Sequence, residues 1–262
     1  MNHPFERHFL QRKPLDKTQL SVIGLPPSFA GFFTEMRGRW DKQKAETCLV
    51  EVLRLEGLPG GVRLVNEALS CSFTDRVGDL KTLLSWMRFI TSKYAIDDAQ
   101  RDSWIHRGLI KGAEGVLQTL KVEDGSLPAT PKLLSAIVMA RCPGLLSFFP
   151  AAELWDPSVR SFMAEFALTE IHSNTQLRNS EQVLKEFLYP EMDTSVITTD
   201  MLNRRPIISA ITALKIRPPV DAMEGVLAHH RTALYKSGVL SAEEAKVSAK
   251  MKRTALSLDL DL

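Results

Sequence analysis

A chain of 262 residues, 44% hydrophobic and 24% charged, has globular proportions; these exclude disorder throughout and leave room for one large domain or two ordinary ones. The formal charge is only +2, yet it is unevenly spread: residues 1–45 hold eight Lys/Arg against four Asp/Glu, 46–202 fifteen against twenty-one, and 203–253 ten against four. Cys48, Cys71 and Cys142 are an odd number without CxxC spacing, which is no disulfide framework and points to a reducing compartment.

The N-terminus has no apolar run long enough for a secretory signal, and Glu6, Pro14 and Asp16 suit a mitochondrial transit peptide poorly. The apolar stretch 20–33 is broken by Pro26 and Pro27 and is too short to span a bilayer. A cytoplasmic protein is expected. A bacterial effector exported without a cleaved signal into a host cytosol carries the same features.

Residues 1–25 show no sustained period and read as an N-terminal arm. Pro26-Pro27 opens a first helix bearing Phe29, Phe32, Phe33 and Met36. From Lys42 a second helix carries Leu49, Val52, Leu53 and Leu55 and is expected to stop at Gly57-Leu58-Pro59-Gly60-Gly61. Val62, Val65 and Leu69 give a short third. Two longer amphipathic stretches follow between Asp75 and Lys121. The first places Val77, Leu80, Leu84 and Met87 on one stripe, widened by Leu83, Trp86 and Ile90. The second does the same with Ile105, Leu109, Ala113, Val116 and Leu120. Thr74 or Asp75, and Asp97 or Asp98, are the expected caps. Faces this wide are unstable alone and require further helices against them.

The run 122–130 separates an N-terminal helical subdomain (26–121) from a C-terminal one (131–255). Thr130-Pro131 and Asp156-Pro157 each set a capping residue before proline at the first helical position. Ser180 is expected to cap a short helix through Phe187, and Val196-Ile197 between threonines could be extended. Pro206 opens another helix, and a further one spans Val220 to Leu234 and stops at Gly238. Ser241-Ala242-Glu243-Glu244 has the form of a capping box. The fold class is therefore all-α, an irregular multi-helix bundle of about ten helices. A degenerate α-solenoid is the alternative, although no repeat of 34–47 residues is evident.

No motif for bond chemistry stands out, and no catalytic residue, cofactor or metal is assigned. Metal binding needs three or more donors at ligand spacing, and neither the adjacent His229-His230 nor the i,i+4 pair Asp102/His106 supplies them. The glycine-rich 57–61 lacks the Lys-Ser/Thr of a phosphate loop. Gly108, Gly112 and Gly115 share a helical face and let another helix come close. An enzyme would have to assemble its site from distant groups, with Asp102, His106, Cys71, His229 and His230 as candidates.

Two features suit a partner. The stretch 203–253 concentrates cations including Arg204, Arg205, Arg217 and Arg231, able to meet an acidic protein patch or, as another alternative, nucleic acid. The terminus Leu256-Ser257-Leu258-Asp259-Leu260-Asp261-Leu262 alternates leucine with small or acidic residues. An extended chain there sets Leu256, Leu258, Leu260 and Leu262 on one side. Leu256, Leu258 and Leu260 give this Leu/Asp tail a pattern that resembles the LxLxL repression motif of plant transcriptional regulators, and the resemblance implies a helical co-repressor as partner. A non-enzymatic protein–protein interaction module or adaptor is the leading expectation.

Overall fold

The computed structural model describes residues 42–75, 77–120, 126–174 and 178–245. The predicted arm, the helix after Pro26 and the Leu/Asp tail all lie outside these residues. Among the described residues the chain is all-α, with nine α-helices, three 3₁₀ turns and no strand. Helix lengths run from 4 to 34 residues with no recurring pair, as in an irregular multi-helix bundle. No described helix is long and apolar enough to cross a membrane. The chain divides into two compact units. One runs to Pro128 and includes Leu145–Pro150; the other comprises Ala129–Gly144 and the chain from Ala151.

The first unit is built from α1 (Lys42–Asp75), α2 (Val77–Lys93) and α3 (Asp98–Leu120). The expected stop at 57–61 is a corner within α1 rather than an end. Gly57 alone leaves helical geometry, at φ 66° and ψ −161°, a region essentially reserved for glycine. Pro59 then sits in the opening turn of the second arm, where its missing N–H costs no hydrogen bond. A side chain on Gly60 or Gly61 would run into Glu56 or Leu53, so the arms meet closely only because both are bare. The helix therefore resumes at once, and residues 62–69 belong to a long element that packs on both α2 and α3.

The apolar stripes read from spacing are the ones buried: Leu80, Leu83, Leu84, Trp86, Met87 and Ile90 on α2, and Ile105, Leu109, Ala113 and Val116 on α3. They close on Leu49, Val52, Leu64, Val65 and Leu69 of α1. The cap of α3 is Asp97, whose carboxylate accepts the Gln100 N–H at 2.8 Å.

The second unit orders α4 (Pro131–Ala140), α5 (Pro157–Ser173), α6 (Ser180–Phe187), α7 (Thr199–Leu202), α8 (Arg205–Leu214) and α9 (Ala228–Lys236). Thr130 and Asp156 cap α4 and α5 as their sequences require, each accepting a backbone N–H. Ser180 does not cap α6. That position falls to Asn179 in the left-handed conformation (φ 55°), while the fully buried Ser180 hydroxyl accepts the Arg141 Nε–H at 3.0 Å. Val196-Ile197 is a turn with Ile197 buried, not an extended segment. The stretch from Val220 to Leu234 is a 3₁₀ turn (Asp221–Met223) and then α9, separated by Gly225 at φ 81°. On α5, Phe162 is 49% exposed and stacks on Phe166. The amphipathic α8 lies at the centre, packed on α5, α6, α7 and α9 through Ile207, Ile208, Ala210 and Ile211. The capping box is reciprocal: the Glu244 N–H donates to the Ser241 hydroxyl, and the Ser241 N–H to the Glu244 carboxylate.

Candidate functional site: a basic cleft between two helices

Within the first unit, the second arm of α1 and the middle of α3 enclose a cleft of about 340 Å³. On α1 the lining residues are Pro59, Val62, Arg63, Asn66 and Glu67, spaced three and four apart on one helical face. On α3 they are Trp104, Arg107, Gly108 and Lys111, spaced the same way. The two helices touch at Gly108. An added Cβ there would lie 3.0 Å from the Asn66 carbonyl oxygen and 3.2 Å from the Leu69 Cβ, so glycine sets how closely the faces approach.

The charges are unequal. Lys111 reaches across and donates to both Glu67 oxygens, at 2.8 and 3.0 Å. Arg107 is exposed and donates to the neutral Ser103 hydroxyl at 3.2 Å, and no described carboxylate pairs with it. Arg63 stands on the exposed flank of α1. With Lys111 matched by Glu67, Arg107 supplies the positive charge of the lining that no described carboxylate offsets. The half-buried Trp104 adds a broad apolar face and an indole N–H that makes no hydrogen bond to a described residue. The Asn66 Oδ1 is buried against the Gly108 backbone without a donor. The cleft is thus rich in donors and poor in accessible acceptors.

The residues singled out from sequence fall elsewhere or serve the fold. In the second unit, Arg217 pairs with Glu244, Arg231 donates to the Val226 carbonyl at 2.7 Å, and Lys215 donates to the Ser237 carbonyl. Arg204 precedes α8 as its N-terminal cap residue, and Arg205 lies near the Glu181 carboxylate. Leu256, Leu258, Leu260 and Leu262 lie outside the described residues, as does the side chain of Cys71. Asp102 is engaged by Arg101, which donates to it from Nε at 3.1 Å and Nη2 at 2.9 Å, and His106 lies one turn along α3. His229 and His230 belong to the second unit, their rings 4.0 Å apart. Cys142 is buried at the C-terminal end of α4. No group of three or more His, Cys, Asp or Glu able to hold a metal occurs among the described residues.

Arg63, Trp104, Arg107 and Lys111 escaped the sequence reading. Their only trace was a polar stripe at helical spacing, which a solvated helix face also produces.

His230 reports on the second unit. Burial is the main cause holding its pKa below the ordinary 6.5, the neighbouring His229 charge acts in the same direction, and a hydrogen bond with the Leu202 carbonyl opposes them. Its Nδ1 is buried without a partner. The unfolded chain therefore takes up the proton first as pH falls through 6.5. Stability of the second unit is full above that value and declines below it until the folded ring also protonates. His230→Gln is expected to flatten the dependence of the urea midpoint on pH between 7 and 5; an unchanged slope would remove His230 from this role.

No protein family, curated protein or solved structure matches the chain. Its fold and cleft define it as an all-α protein with a positively charged groove between two helices.

Proposed function

We propose that this chain is a non-enzymatic interaction module that takes a protein partner at the cleft between α1 and α3. One observation carries the proposal: facing stripes of two packed helices set Trp104 beside Arg107 and Arg63 over a recess that Gly108 defines. Tryptophan and arginine dominate binding energy where proteins meet, because each combines a large contact face with directed donors. Helices hold such groups more rigidly than loops, so little conformational freedom is lost on binding.

The test is a selection of random displayed peptides on the immobilised full-length chain. A peptide set is expected that binds the parent and loses at least about tenfold in affinity on Trp104→Ala, as central aromatic anchors do. Peptides indifferent to Trp104, or no enrichment at all, would refute the cleft as a protein-binding groove.

A further inference from the structure

We infer that the segment held in the cleft is acidic, a short protein stretch that sets a carboxylate on Arg107, within reach of Lys111, while an apolar side chain lies on Trp104. This rests on the reading of the cleft as a protein-binding groove. The lining offers donors in excess: the Arg107 guanidinium spends one hydrogen bond on a neutral hydroxyl, and the Trp104 N–H bonds to no described residue. Both call for acceptors, and carboxylates supply the strongest. Size agrees, since about 340 Å³ holds one or two side chains rather than a whole helix.

Glu67 narrows the chemistry further. Its side chain is only 15% exposed, its two oxygens sit on Lys111, and it brings a fixed negative charge into the middle of the lining. A nucleic-acid strand, with a charge on every nucleotide, would have to pass that carboxylate. Carboxylates spaced along a peptide can straddle it. Glu67 also occupies the Lys111 ammonium that an incoming acid would use. It acts as a resident competitor, and removing its charge frees a cation for the ligand.

Three peptides on one leucine-containing frame, carrying Glu, Gln or Lys at the same positions, are titrated against the full-length chain at low and moderate salt. The Glu peptide is expected to bind best, to weaken with salt, and to lose about tenfold or more in affinity on Arg107→Glu, a change at an exposed position that leaves the fold intact. Glu67→Gln is expected to strengthen Glu-peptide binding severalfold while leaving the Gln peptide unchanged. Equal binding of the Glu and Gln peptides, or preference for the Lys peptide, overturns the acidic partner and leaves the groove standing. Weaker Glu-peptide binding in Glu67→Gln overturns the competitor role. Tighter binding of a single-stranded oligonucleotide or of inorganic phosphate, lost on Arg107→Glu, overturns the inference in favour of a phosphate site. If no peptide of either experiment binds in a Trp104-dependent way, the groove itself falls.

Discussion

Gly60→Ala is expected to destabilise the first unit by about 2–3 kcal/mol, although the same exchange in an ordinary helix stabilises by roughly 0.5–1 kcal/mol. The added methyl would stand 2.1 Å from the Glu56 Cβ and 3.5 Å from Val52. A Cβ cannot swing aside like the end of a side chain, so the backbone of one arm of α1 must move. Such a shift would spread to Leu49, Val52, Leu64 and Leu69, the α1 residues that cover α2 and α3. Gly61→Ala makes the informative comparison. Its methyl would meet the Leu53 Cδ2 at 2.3 Å, the tip of a side chain that can turn, and its cost should be smaller. Urea unfolding of the three proteins gives the ranking. If Gly60→Ala equals or exceeds the parent in stability, the corner relaxes freely and the close approach is not required.

Ile211→Ala is expected to cost the second unit about 2–5 kcal/mol, the range for truncating a large aliphatic side chain that neighbours cannot collapse upon. Ile211 is wholly buried on α8, and α8 touches four other helices, so a void there is lined from several directions. Hydrogen exchange should show protection falling in α5, α6 and α8 together, as in one cooperative unit. Lys236→Ala, at an exposed site near the end of α9, should stay within about 0.5 kcal/mol of the parent. Protection that falls in α8 alone would mean that this helix is not the common support of the unit.

Both substitutions fall where the sequence was partly legible. The spacing of Ile207, Ile208 and Ile211 puts them on one face, because 3.6 residues per turn forces every third or fourth side chain to the same side. The same rule marked the buried stripes of α2 and α3. Caps were equally readable, since Asp97, Thr130, Asp156 and the Ser241–Glu244 pair need only their own next turn to bond. The corner was misread because Gly-Leu-Pro-Gly-Gly carries every local signal of an ending. Whether the chain ends there or bends depends on what Gly60 and Gly61 approach. Ser180 was misread for a related reason: its hydroxyl serves Arg141, 39 positions earlier, and not its own helix.

Local order is what the amino-acid sequence determined by itself: an all-α chain, the faces of its helices and most of their starts, since these rest on contacts within a few residues. Only the tertiary structure decided that α1 continues through Gly57 to pack on two helices, and that Glu67 meets Lys111 from 44 positions away. The cleft belongs to that second kind. Each of its walls alone is an ordinary polar helix face, and it becomes a recess with unequal charge only when Gly108 lets the two come together.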